Sequence, residues 1–225
     1  MIGFSSTAQG FELFWKGRRL LVHSQRRPCL QLGQGEGRYS MVRGHFRIRD
    51  RLRRREACRA FRVASQTQDR LEIDFPGRLR LIFCVEQDRL ALRFSGAPPW
   101  VNRLWLDLAA SPGEHLYGGG EQFSVLDLRG RRLPVWVQEQ GVGRSRDLIT
   151  LVANLASGSG GTWYNTYFPM PILVSSANWY CLAECSAYAE LDLRSSRRHR
   201  LHCWSVPERL VMDAAPSAPE LLESL

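Results

Sequence analysis

The chain has 225 residues, 44% of them apolar, enough for one large domain or two small ones with a substantial core. No apolar run is long enough to cross a membrane, and Met1-Ile2-Gly3-Phe4-Ser5 lacks the basic and apolar regions of a secretory signal, so a cytoplasmic location away from membranes is expected. The net charge of +9 comes almost wholly from arginine, with Lys16 the only lysine; many arginines alternate with apolar residues, which reads as the wet face of strands rather than as a nucleic-acid surface.

Taken in chain order, the predicted elements are short and have period two. In "FELFW", Phe11, Leu13 and Trp15 share a face. "RIRDRLRRRE", residues 47–56, is the one dense basic cluster and reads either as an anion site or as an exposed turn. "RLRLIFCV" sets Leu79, Leu81 and Phe83 against arginines, and "RLALRF" sets Leu90, Leu92 and Phe94 on one face. "RLWLDLA", "LPVWVQ", "WYCLAE" and "AELDLR" alternate in the same way. "ASGSGGTW", residues 156–163, reads as a flexible connection between two strands, either a plain hairpin link or a loop that approaches a ligand, and Trp179 and Trp204 read as core. Many short alternating strands with little helical periodicity predict an all-β, antiparallel β-sandwich or barrel. The exception is the C-terminal "APSAPELLESL", where Ser217 or Ala218 near a cap, Pro219 and Glu220 read as a helix start. Two turns are too short to be stable alone, so this helix is expected to lead into further protein.

The six cysteines, without an export signal or a CxxC pair, are expected to be reduced thiols. Neither they nor His199-x-x-His202 make a metal set, and no cofactor is expected. The segment of greatest interest is "HLYGGGEQFSVLDLRGRRLPVWVQEQGVGR", residues 115–144. Its three glycines fail the dinucleotide spacing, because Phe123 stands where the third glycine belongs, and no Lys-Ser/Thr follows. Glu121 and Glu139 could form the carboxylate pair of a glycosidase only if the fold brought them together. A Ser/His/Asp site lacks its G-x-S-x-G elbow. Trp136, Trp163, Gln122, Glu139 and Gln140 supply the mixture a sugar-facing loop needs: flat apolar faces, fixed hydrogen-bonding groups, and glycines for close approach.

Three runs in that segment carry a family resemblance. Tyr117 to Phe123, Leu128 to Trp136 and Glu139 to Arg144 resemble the N-terminal domain of glycoside hydrolase family 31, nearest to its sulfoquinovosidase-like branch. The likeness continues through Gly160 to Cys181 and covers most of the chain. It implies a galactose-mutarotase-like sandwich over residues 1–214. It also implies that residues 215–225 begin the linker helix towards a (β/α)8 barrel carrying the aspartate nucleophile and acid/base of a retaining α-glycosidase. No such barrel is legible here, so no catalytic residue is carried over and the chain alone is expected to be inactive.

What the resemblance implies for this chain is a loop bordering a carbohydrate pocket. The candidate substrate-binding residues are Gln122, Trp136, Glu139, Gln140 and Arg144, with Gly118, Gly119 and Gly120 shaping the loop. Arg144 is expected to pair with Glu121 or Glu139 or else to contact ligand. Two rival readings remain: a free-standing carbohydrate-binding module, and a mutarotase-like enzyme. The latter would need a His and a Glu converging in the sandwich cleft, and the sequence offers no ordered pair.

Overall fold

The structure, a computed structural model, describes residues 1–144 and 147–225, which contain seventeen strands and two helices. The first strands are β1 (Ile2–Thr7), β2 (Gly10–Trp15), β3 (Arg18–Ser24), β4 (Leu30–Val42), β5 (His45–Ala57) and β6 (Arg62–Gln66). There follow β7 (Arg70–Phe75), β8 (Leu79–Glu86), β9 (Arg89–Ser95), β10 (Arg103–Ala109), β11 (Leu116–Gly120) and β12 (Arg132–Val135). Helix α1 (Leu148–Ser157) precedes β13 (Pro169–Ser175), β14 (Trp179–Glu184), β15 (Ala189–Asp192), β16 (Arg198–Cys203), β17 (Arg209–Ala214) and α2 (Ala218–Glu223).

All strand pairs are antiparallel. Strands β1-β2-β3 form one sheet, β12-β15-β16-β10-β4-β5 a second, and β11-β13-β14-β17-β9-β8-β7-β6 a third. The alternation seen in the sequence is what welds them together. Phe11, Leu13 and Trp15 of β2, Leu79, Leu81 and Phe83 of β8, and Leu104, Leu106 and Leu108 of β10 all enter one apolar core. Each such side chain contributes about 2 kcal/mol over leaving it in water. The antiparallel sandwich expected from period two is therefore the architecture observed.

Four expectations need correction. Strand β10 does not alternate between core and solvent, because every one of its residues is buried. Its second face is covered by polar partners: Arg55 lies 4.3 Å above the Trp105 ring, and Arg200 holds the Asp107 carboxylate through two bonds of 2.6 and 2.8 Å. The basic run 47–56 is not a turn. It lies within β5, an edge strand paired along its length with β4, and Arg53 pairs with Glu36 at 2.9 Å. Residues 156–163 do not join two strands, since they run out of helix α1, which period two had hidden. Trp204 is only half-buried, whereas Trp179 is core as expected.

Helix α2 begins where Ser217 and Pro219 indicated, with Ser217 as its N-cap residue. It is held by packing rather than by length: Leu221 is buried against Tyr180 and Val211, and the Tyr180 hydroxyl donates to the Ser224 carbonyl at 3.2 Å. All six cysteines are free thiols.

Candidate functional site

The glycine run belongs to the edge strand β11, not to a loop. Gly118, Gly119 and Gly120 all have positive φ, of 114°, 76° and 84°, and the pairing with β13 shifts register between Gly118 and Gly120. A Cβ at Gly120 would overlap the Phe168 carbonyl, and one at Gly118 the Ile172 carbonyl. Glycine is required here for both reasons, because L-residues avoid these angles and neighbouring backbone fills the space. The run turns the chain out of the sheet, and Gln122 braces the exit by donating from Nε2 to the Gly119 carbonyl at 3.1 Å.

The remaining candidates fall into three groups. Trp136, half-buried, sits in an aromatic cluster with Tyr39, Phe46 and Tyr188 at centroid distances of 5.9, 5.7 and 5.8 Å. Its Nε1 is buried without a partner among the described residues. Glu139 is exposed, and its carboxylate accepts a 2.7 Å bond from the Tyr167 hydroxyl. Its backbone is fixed on both sides: its N–H donates to the Gly44 carbonyl of the β4–β5 turn, and its carbonyl accepts from Asn165 Nδ2 at 2.6 Å. Of the two alternatives for Arg144, the ion pair with Glu121 or Glu139 is not the one seen among the described residues. Arg144 donates to the Gln140 side-chain oxygen and lies 4.3 Å over the Phe123 ring.

Arg144 also lines a cleft of about 910 Å³, whose walls include Arg131, Asp147, Asn154, Trp163 and Tyr164. Of the predicted set, Arg144 alone reaches this cleft. Trp163, singled out with the sugar-facing aromatics, lines it too, with Arg131 5.2 Å from its ring. Arg131, Asp147 and Asn154 went unremarked in the sequence. The signal that could have found two of them is an Asp followed by apolar residues at helical spacing. Asp147 caps α1, accepting from Thr150 N at 2.7 Å, and Asn154 Oδ1 accepts from Gly160 N at 3.1 Å just beyond the helix.

A second polar cluster lies inside the sandwich, and the sequence did not show it. His199 Nε2 donates to Glu114 Oε1 at 2.7 Å, and both side chains are sealed from solvent. The same carboxylate also accepts from Ser175 Oγ at 2.5 Å, Trp179 Nε1 at 3.2 Å, Arg18 Nη2 at 3.3 Å and the Ser111 N–H. Burial pushes its pKa up, but the bonds from His199, Ser175 and Ser111 outweigh burial and pull it down to about 2. A His and a Glu thus do converge, yet with no room for a sugar: the neighbouring void is about 10 Å³ and lined mainly by apolar side chains such as Leu108, Leu173 and Leu201. A saturated, sealed carboxylate braces the fold and has no lone pair left for proton transfer to a substrate.

Comparison with known proteins supplies the remaining finding. Residues 43–149 match the family model described as the glycosyl hydrolase 31 N-terminal galactose mutarotase-like domain. The chain is 37% identical to a sulfoquinovosidase of Agrobacterium fabrum over 226 residues, covering 99% of this chain and 33% of that protein. It is 36% identical to a sulfoquinovosidase of Escherichia coli over 228 residues, covering 99% of this chain and 34% of that one. Among solved structures, a family 31 sulfoquinovosidase from E. rectale in complex with an aza-sugar inhibitor superposes with a TM-score of 0.92 at 32% identity, over 99% of this chain and 33% of that one. The chain therefore spans about a third of the length of the relatives it matches.

Proposed function

We propose, from the premise that this chain carries the N-terminal galactose mutarotase-like domain of glycoside hydrolase family 31, that it is the non-catalytic sandwich of a retaining α-glycosidase of sulfoquinovosidase type. In this reading its 118–144 region edges a sugar pocket, and the two catalytic carboxylates lie in a part of such a protein that this chain does not span. The observation that carries the reading is that nearly the whole chain aligns with only a third of each sulfoquinovosidase. The site geometry is consistent with it. Glu139, Gln140 and Arg144 are polar groups on a backbone tied to the β4–β5 turn and to Asn165, suited to touching hydroxyls rather than to cleaving a bond.

The test is direct. The purified chain, assayed with an aryl α-glycoside, is expected to show no turnover; turnover abolished by Glu121→Gln or Glu139→Gln would overturn the reading. A free-standing carbohydrate-binding module is the second reading, favoured by the open cleft beside Trp163 and Asn154, which residues of this chain line. Calorimetric titration with monosaccharides separates the two, since measurable affinity of the isolated chain supports the module.

A further inference from the structure

Helix α1 is built inside out. Leu148, Ile149, Leu151, Val152 and Leu155 are 73, 64, 54, 54 and 80% exposed. At about 100° per residue they occupy one stripe about 160° wide, the i, i+3, i+4, i+7 pattern by which helices face a core. The opposite side, turned to the domain, carries Thr150, which is buried, with Ala153 and Ser157, which are half-buried. This orientation is anchored at both ends, by the Asp147 cap and by Gly158 in the left-handed conformation at φ 65°. The stripe borders the cleft directly, as Leu148 and Leu151 belong to both. Ser124 and Val125 also line that cleft, and the chain around them adds exposed Phe123 and Leu126.

The stripe alone exposes on the order of 600 Å² of apolar surface, the upper end of what a monomer's largest patch reaches, and such patches are commonly functional. A second copy is a poor fit for it, because stable association of separate chains needs about 800 Å² on each partner. A tethered domain needs less. Contacts between domains of one polypeptide bury about 600–1,500 Å², and the linker holds the partner at millimolar effective concentration. The relatives carry roughly twice this chain's length outside the matched third.

We propose that the α1 stripe is the docking face for the remaining part of a full-length family 31 polypeptide, whose apolar surface would lie against Ile149, Val152 and Leu155 and wall the open side of the cleft. This inference rests on the reading above that the chain is one domain of a longer glycosidase. It assigns α1 a role distinct from that of the 139–144 residues.

The test compares hydrogen exchange of residues 148–157 in the 225-residue chain with that in the Agrobacterium fabrum relative whose matched third has been replaced by this chain. Exchange is expected to slow at least tenfold in the longer protein. Val152→Glu with Leu155→Glu is expected to restore fast exchange there while leaving the isolated chain's circular dichroism unchanged. If the graft does not fold, the isolated chain is mixed with the separately expressed remainder of the relative and the same readout is taken. Equal exchange with and without the partner part overturns the proposal, as does concentration-dependent dimerisation of the isolated chain abolished by the same pair. In the graft, a Glu139→Gln effect on turnover with α1 unprotected would spare the pocket reading and sink this one. Protection of α1 with Glu139→Gln neutral would do the reverse.

Discussion

Replacing Glu114 by Gln is the most informative single perturbation of this fold. The carboxylate accepts from five donors on five separate segments: Arg18, the Ser111 backbone, Ser175, Trp179 and His199. The glutamine amide has the same shape but turns one acceptor into a donor, so at least one of these N–H or O–H groups meets another donor. Breaking a buried charged network from one side costs about 3–5 kcal/mol. The depressed pKa gives a separate figure. A fall from the ordinary 4.5 to about 2, at 1.36 kcal/mol per unit, corresponds to about 3 kcal/mol. The group is sealed from solvent, so screening removes little of this. The sign follows from the direction of the shift. A carboxylate whose folded pKa is lowered stabilises the fold fully above about pH 4.5, and that contribution is lost as pH falls towards 2. Urea unfolding of both proteins is expected to show a gap of about 3 kcal/mol at pH 7 that shrinks as pH falls from 4.5 towards 2, because the unfolded chain takes up its proton first and the native side chain only near pH 2. A gap below about 1 kcal/mol at pH 7, or one that does not change with pH, would refute the assignment of Glu114 as the ionised hub of the sandwich.

Three further outcomes are expected. Gly120→Ala should cost more than about 2 kcal/mol in thermal or urea unfolding, because φ is 84° and the Phe168 carbonyl and Met170 N occupy the space; Gly130→Ala, at φ 79° in open space, should cost only about 1 kcal/mol. The Cys203 thiol, donating to Cys185, outweighs burial and draws the Cys185 pKa down to about 6, while burial pushes Cys58 and Cys181 up to about 12. Iodoacetamide mapped by mass spectrometry should therefore label half-buried Cys185 first, with a midpoint near pH 6, and Cys203→Ala, which removes the donor, should move that midpoint upward; a midpoint unchanged by that substitution would show that Cys203 is not its cause. In the graft described above, Glu139→Gln should raise KM for an aryl α-glycoside several-fold with little effect on kcat, and kinetics identical to the parent would remove Glu139 from the pocket edge.

What the sequence made legible was whatever one segment decides alone. Phe11, Leu13 and Trp15 enter the core because a pleated strand sends alternate residues to one face, whatever the neighbours are. The α2 start was visible because Ser217, Pro219 and Glu220 act within a single turn. Strand β10 was misread because burial of Trp105 and Asp107 depends on Arg55 and Arg200, which arrive from β5 and β16. Helix α1 was missed for a local reason: Ile149, Thr150 and Val152 are β-branched, and its apolar stripe has no charged face opposite to mark the period. The helix is instead set by its caps, Asp147 and Gly158. Within the candidate site, Arg144 and Gln140 meet because they are four residues apart, whereas Glu139 and Tyr167 are 28 apart and meet only after the sandwich has closed.

The same distinction separates bracing from recognition. Glu114 and His199 are 85 residues apart and share a site that topology alone creates, yet the carboxylate's acceptor positions are already filled by five donors. A catalytic or sugar-binding carboxylate needs unspent valence and access; Glu114 has neither, and its low pKa is the signature of saturation, not of activation. Glu139 presents the opposite case. Its carboxylate is exposed and takes one side-chain bond, from Tyr167, while the rigidity comes from backbone ties to Gly44 and Asn165. A group held still by its main chain and left open at its side chain can exchange water for a hydroxyl at small entropic cost. That division of labour is why the histidine–glutamate pair, chemically the more suggestive, braces the fold, and why the plainer loop around Glu139 is the one we propose for the edge of a pocket.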